Sequence, residues 1–189
     1  ALRKVTRVVR ERPLGLIPFP PEACAVSGRT LLTLDDQNNN GQLDFGEPVT
    51  IVFDACQDNA FDVLNGTALM TFTGGSTTSF SATMTMSQLS QQSTNGRHGM
   101  TLDGSLDLNC ALLSSTSMRC TSTASTDVRT ALRTHLFADT VTLQRGFVED
   151  ATYDAGTGHT MSTVRGTINS TAAGGAFSVS TDAAIGRLY

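Results

Sequence analysis

The chain has 189 residues, 39% of them hydrophobic and 16% charged, with a net charge of −4. This length suffices for one domain with a buried core, and the low charged fraction argues against a disordered acidic or basic tail. Apolar runs are only a few residues long, as in Ile51–Phe53, which excludes a transmembrane helix.

Residues 1–23 are predicted to form a basic N-terminal arm and a Pro-rich linker. The arm, residues 1–12, has β-branched residues typical of a strand, but its apolar spacing also fits a helix, so both remain open. Four prolines then break any regular element: Pro13, Pro18, Pro20 and Pro21. Residues 30–96 contain no basic side chain. We therefore expect the arm to pair with this acidic section, within one molecule or between neighbours.

From Cys24 onward the hydrophobic pattern has period two, as in residues 80–87 and 100–110. Such alternation indicates strands with one buried and one solvated face. Further strands are predicted at 28–34, 48–55, 63–73, 115–125, 128–136, 139–148, 159–170 and 175–181. Helix signals are poor. We expect a single all-β domain over residues 24–189, an antiparallel meander forming a sandwich or one large curved sheet.

Three of these predicted strands share a pattern with an inward glycine: Leu64-x-Gly66, Leu102-x-Gly104 and Val164-x-Gly166. Glycine inside a strand marks a bend or a place where another group approaches the bare backbone. The pattern predicts a repeated strand unit with a bend, or with an aromatic ring laid over each glycine.

The chain has four cysteines and none forms a C-x-x-C pair, which disfavours zinc and thioredoxin-type sites. Strand parity places Cys110 and Cys120 on one face of adjacent strands, so this pair is the first choice for a disulfide. Cys24 and Cys56 would then form the second, although four cysteines allow three connectivities. Two disulfides indicate an oxidising compartment. The start at Ala1, without an apolar signal region, fits a mature form after signal cleavage or a trimmed chain.

Residues 36–47 read Asp-Gln-Asn-Asn-Asn-Gly-Gln-Leu-Asp-Phe-Gly-Glu. Oxygen-bearing residues fall where the EF-hand loop places its calcium ligands, with glycine at the sharp turn and glutamate at position 12. The predicted ligands are Asp36, Asn38, Asn40, Gln42 (through its carbonyl), Asp44 and Glu47. An Asn-rich turn without an ion is the alternative.

This segment resembles the EF-hand-like calcium loops of dockerin and other extracellular modules. The resemblance covers these twelve residues only, and Pro48 stands where the exiting helix of a classical EF-hand would continue. It implies a static structural calcium site between two strands. The composition, rich in Thr, Ser, Gly and Asn, resembles that of secreted bacterial β proteins.

The sequence has no G-x-S-x-G, H-E-x-x-H or P-loop motif, and we expect no enzyme activity. Two carboxylate pairs, Asp35/Asp36 and Glu149/Asp150, are interpreted as solvated loop charges. One short basic arm on an acidic protein is a weak signal for nucleic acid, so we expect no nucleic-acid partner.

Two functions remain. The first is a secreted structural subunit, stabilised by calcium and disulfides, that self-assembles into an extracellular filament or surface layer through its N-terminal arm. The second is a monomeric secreted or periplasmic module that binds an apolar ligand on its sheet. A methionine stripe motivates the second: Met70, Met84, Met86 and Met100.

Overall fold

A computed structural model describes residues 15–134, 136, 138–154, 159–181 and 185–188. The predicted basic arm, residues 1–12, lies outside these residues. The described chain forms strands and no helix: β1 (Gly15–Pro18), β2 (Glu22–Ala23), β3 (Ser27–Asp36), β4 (Pro48–Gln57), β5 (Asp62–Gly75), β6 (Ser79–Ser93), β7 (His98–Leu112), β8 (Ser117–Ala124), β9 (Val128–Thr134), β10 (Ala138–Leu143), β11 (Val148–Asp154), β12 (His159–Ser170), β13 (Gly175–Ser180) and β14 (Ile185–Leu188). The predicted all-β antiparallel meander is confirmed.

All of these strands belong to one antiparallel sheet. Several short strands lie end to end and together cross the sheet once; we call each complete crossing a pass. For example, β7 pairs with β8 along its second half and with β9 along its first half. Counted in this way the described residues make ten passes, each beside the one that precedes it in the chain: β1–β2, β3, β4, β5, β6, β7, β8–β9, β10–β11, β12 and β13–β14.

The first pass differs from the sequence-based expectation. Residues 15–23 were expected to lie in a Pro-rich linker, but β1 and β2 pair with β3, with Ile17 opposite Leu34. The alternating apolar residues Ile17 and Phe19 are both buried and explain this attachment. The prolines are tolerated because this pass lies at the edge of the sheet, where an N–H is not needed on the outer side.

One face of the sheet is apolar and the other is polar, as the period-two pattern predicts. Directly opposed residues share a face. One such row crosses six passes with apolar side chains only: Leu34, Val49, Met70, Met84, Leu106 and Ala124. The adjacent row, on the other face, is mostly hydroxylated: Thr33, Thr50, Leu69, Thr85 and Ser105.

Two clusters of buried residues form on the apolar face. The first consists of Ile17, Phe19, Leu34 and Val49 near the start of β4. The second consists of Met86, Ala124, Val128 and Phe147 in the middle of the sheet. Met70, Met84 and Leu106 are partly buried, and Met84 and Leu106 pack against the second cluster. Further buried apolar residues lie outside the two clusters, among them Ala68 and Ala82.

A row of irregularities crosses the middle of the sheet. Each glycine of the predicted repeat adopts a positive φ: 111° at Gly66, 134° at Gly104 and 143° at Gly166. Each lies against the backbone of a neighbouring pass, where the register shifts or the strand is interrupted. Gly28, opposite Ala55, continues the row. Bulges increase the local twist and bend the strand, so the repeated glycine pattern corresponds to one continuous crease.

Both disulfides of the first-choice pairing are present. Cys110 stands directly opposite Cys120 on β7 and β8, with Cα atoms 4.1 Å apart. Cys24 joins Cys56 across a Cα distance of 5.5 Å and ties the segment after β2 to the end of β4. The second bridge therefore encloses β3 and the acidic loop.

Candidate metal centre

The predicted calcium loop connects β3 to β4, so its two ends are held by neighbouring strands. Asp36 is the last residue of β3, and Glu47 directly precedes β4. Leu43 packs against the first core cluster and anchors the middle of the loop. The positive φ of Gly41, 72°, provides the sharp turn that the pattern requires at this position.

Asp36 and Glu47 are buried, with 1% and 3% of their surface exposed. Asp36 accepts hydrogen bonds from the N–H groups of Asn40 (3.1 Å) and Gly41 (2.7 Å). Glu47 accepts from the N–H groups of Gln37 (3.0 Å) and Asp44 (2.9 Å). These donors are neutral backbone dipoles. Both carboxylates are thus oriented by the loop but are not neutralised by it.

Asp44 is held by two amide side chains. Its Oδ2 accepts from Nδ2 of Asn38 at 2.7 Å and from Nδ2 of Asn40 at 2.5 Å. The amide oxygens point instead at the backbone, since Oδ1 of Asn40 accepts from the N–H of Gln42 at 2.7 Å. If the side-chain amides of Asn38 and Asn40 were rotated by half a turn, each would direct its oxygen instead of its nitrogen towards Asp44.

The structure does not gather the three carboxylates into a tight cluster. Among the described residues, the one group of three metal-ligating side chains with ligand atoms within 4.8 Å of one another is Cys24, Cys56 and Asp58. The sulfurs of that group are consumed in a disulfide. The loop therefore has the donor types for calcium, but the carboxylate oxygens of Asp36, Asp44 and Glu47 do not all lie within 4.8 Å of one another.

The chemistry of the donor set fits a hard divalent cation. Buried carboxylates are ordinarily paired with a positive charge or a metal. The ion pairs Arg29–Asp54 and Arg119–Asp150 both lie outside the loop. All predicted ligand atoms are oxygens, which calcium prefers. Asp36 and Glu47 would supply most of the charge that holds the ion.

Sequence reasoning missed the connection between this loop and β1. The N–H of Gly15 donates to Oδ1 of Asn39 at 2.8 Å, and Gly15 stands opposite Asp36 in the register. Asn39 has a positive φ of 58°, which asparagine tolerates better than most residues. The Asn-rich run was the local signal, but its partner lies 24 residues away. The hydrogen bond thus ties the loop to the first residue of β1.

The two carboxylate pairs interpreted as loop charges both lie in strands. Asp35 and Asp36 end β3, and Glu149 and Asp150 belong to β11. Nε of Arg119 donates to Asp150 at 2.8 Å, and a second contact joins the same two side chains. This hydrogen bonding lowers the pKa of Asp150 and raises that of Arg119. The loop interpretation of these pairs is therefore wrong, because cross-strand pairing accommodates the Glu149–Asp150 charges within a strand.

A second feature is a cleft of about 440 Å³ between β6, β7, β9 and β10. Its lining mixes apolar Met100 and Leu132 with Arg133 and Asp139. Hydrogen bonds from the Ser170 hydroxyl, the Ala172 N–H and the Thr171 hydroxyl lower the pKa of Asp139 to about 2. Asp139 thus ties the start of β10 to the turn after β12.

Comparisons with protein-family models, with curated proteins and with solved structures find no match to this chain. Within the described residues, no helix is long and apolar enough to cross a membrane.

Proposed function

We propose that this chain is a secreted, non-catalytic structural subunit that self-assembles into an extracellular filament or surface layer. The observation that supports it best is the open sheet. Among the described residues, the first pass pairs only with β3 and the last only with β12. Unpaired strand edges template the addition of further strands. A head-to-tail contact between two different edges propagates as a filament unless it closes into a ring.

Two further features support a structural role. The disulfides are typical of proteins that function in an oxidising compartment. Leu16 on the first pass and Phe177 on the last are 69% and 45% exposed, so a monomer would leave both apolar side chains in contact with water. In the proposed assembly, calcium at residues 36–47 stabilises the subunit, and the N-terminal arm of one copy adds to the sheet of another.

Negative-stain electron microscopy with calcium, and again after EGTA, tests this proposal. Regular filaments or sheets that fray after chelation are expected. Filaments that resist EGTA would retain the assembly and remove the structural role of calcium. Dispersed monomers under both conditions would contradict the proposal.

The alternative, a monomeric module that binds an apolar ligand, is favoured by the cleft beside Met100 and Leu132, whose volume lies within the range of small-molecule sites. Its polar lining weakens this alternative. Titration with the fluorescent apolar probe anilinonaphthalene sulfonate tests it. Saturable binding that Leu132→Glu abolishes, in a chain that stays monomeric, would favour the binding module.

A further inference from the structure

The two edges of the sheet differ in how they are protected against strand addition. The first pass contains Pro18 in β1, the charged Glu22 in β2, and Pro20 and Pro21 between these two strands. Proline and charge at an edge are the usual means by which proteins block unwanted pairing. This edge is therefore a poor acceptor for another strand.

Strand β13 (Gly175–Ser180) has none of this protection. Its sequence, GAFSVS, contains no charge and no proline, and nearly all of it is exposed. Phe177 exposes 45% of its surface, and β12 is the neighbour that β13 pairs with in the described chain. A flat, uncharged edge of this kind is a template for a strand from another chain.

The ladder identifies which groups of β13 face outward. The N–H of Thr181 donates to the carbonyl of Val164, so this is a hydrogen-bonded pair. Pairs in an antiparallel ladder alternate between hydrogen-bonded and non-hydrogen-bonded. The N–H and C=O groups of Ala176, Ser178 and Ser180 therefore point away from β12. An added strand would find three regularly spaced donors and acceptors.

We propose that β13 accepts the N-terminal segment, residues 1–14, of a second copy of this chain. The inference depends on the proposed assembly and identifies its acceptor. Residues 1–14 carry five basic side chains and one acidic, whereas the rest of the chain carries eight basic and sixteen acidic. The segment is thus attracted to the body of another copy, and its Val5, Val8 and Val9 favour an extended strand.

The position of Gly15 favours a second copy over the same copy. Gly15 begins the first of ten passes, and β13 belongs to the last. Nine strand spacings of about 4.8 Å amount to roughly 43 Å along the sheet. Fully extended, fourteen residues reach about 46 Å. The segment of the same chain would need nearly all of its extended length to cross the sheet, and few residues would remain to pair with β13.

Two full-length variants test this assignment by complementation. Ser178→Pro removes an outward N–H and leaves the pairing of β12 with β13 intact, so this copy can donate a segment but cannot accept one. Val5→Pro with Val8→Pro can accept but not donate, because positions 5 and 8 have opposite parity and one proline interrupts pairing in either register. Ser178→Ala and Val5→Thr with Val8→Thr are the matched controls. Ala176→Pro replaces Ser178→Pro if the latter does not fold, as judged by its thermal unfolding.

Light scattering with size-exclusion chromatography gives the readout. We expect polymers for the wild type and both controls, monomers for each proline variant alone, and a 1:1 dimer when the two proline variants are mixed. Polymers from Ser178→Pro would overturn β13 as the acceptor, and polymers from the arm variant would overturn residues 1–14 as the occupant. Either result leaves self-assembly standing and changes only the segments that mediate it, whereas a monomeric wild type contradicts self-assembly itself.

Discussion

Phe147 lies against Gly166 so closely that a Cβ added to this glycine would stand 2.8 Å from both the Cα and the Cδ2 of Phe147. The ring covers bare backbone at this glycine only, because Gly66 and Gly104 lie against the backbones of Leu89 and Val128, so the alternative of an aromatic ring holds for one of the three repeats. Phe147 is itself 8% exposed and belongs to the central core cluster. The glycine is therefore part of the packing of the second cluster as well as of the crease.

Gly166→Ala should destabilise the protein strongly. The residue has a φ of 143°, and the new methyl group would meet both backbone and ring. We expect a loss of roughly 2–4 kcal/mol in the free energy of unfolding, measured by urea denaturation. Gly175→Ala is the control, because its Cβ would meet no atom within 4 Å. Equal stability of the two variants would mean that the close approach is absent in solution.

Calcium should raise the stability of the wild type. Extracellular calcium sites bind with Kd of about 10⁻⁴–10⁻³ M, so 5 mM calcium would add about 1–2 kcal/mol by mass action. Glu47→Gln should lose most of this increment, because a buried carboxylate is exchanged for an amide. Glu22→Gln, an exposed glutamate outside the loop, should retain it.

Thermal unfolding with calcium and with EGTA measures the calcium effect. If the wild type and Glu47→Gln respond alike, the loop is an Asn-rich turn and the ion has no place in it. Magnesium serves as the ionic-strength control, since its smaller ion demands stricter octahedral geometry.

The two disulfides should differ in their contribution to stability. Their sequence separations are 32 residues for Cys24–Cys56 and 10 residues for Cys110–Cys120. Loop-closure entropy gives about 3.7 and about 2.7 kcal/mol, respectively. Urea denaturation of the two Cys→Ala double variants should reproduce this order. A larger loss from Cys110 and Cys120 would show that local strand pairing outweighs the constraint on the unfolded chain.

Asp139 should contribute to the acid sensitivity of the fold. Its folded-state pKa, about 2, lies below the usual value of an aspartate. A depressed folded pKa gives stability that is present above the unfolded pKa and is lost as the pH falls through the folded value. Asp139→Asn should therefore be less stable than the wild type at pH 6, and the difference should shrink between pH 4 and pH 2.

Urea denaturation at a series of pH values tests the role of Asp139. Asp62→Asn provides the control, because Asp62 lines a neighbouring depression and not the cleft that contains Asp139. A difference between wild type and Asp139→Asn that stays constant down to pH 2 would mean that the Ser170 and Thr171 hydrogen bonds do not distinguish the charged from the neutral carboxyl.

Much of this architecture follows from local sequence pattern. The predicted ranges of β5 and β7 agree with the structure to within two residues at each end. Strand β6 continues to Ser93, six residues beyond the predicted alternation, because a bulge between Met86 and Leu89 interrupts the pattern. The predicted strand 139–148 instead ends at Leu143, and β11 begins at Val148. The pattern did not predict β11 as a separate strand, because two adjacent charges such as Glu149 and Asp150 are typical of a loop. Only the pairing with Arg119, far away in the chain, accounts for Asp150 in a strand.

The pattern of the proposed calcium loop is visible in the sequence for a related reason. All six proposed ligands lie within twelve residues, so their spacing is visible in the sequence. The hydrogen bond from Gly15 to Asn39, and the packing of Leu43 on the first core cluster, depend on strands that meet only in the folded sheet. Sequence therefore indicates the ligand set, while the attachment of the loop to the first pass emerges only from the fold.

The order of the passes has a consequence for how the chain acquires its structure. Because each pass lies beside its predecessor, no strand has to be inserted between two that are already paired. Contacts are formed between neighbouring hairpins, and the contact order is low for a sheet of this width. Folding can start at any hairpin and spread outward in both directions. The first passes of such a chain can therefore pair with one another before the last residues are available for folding.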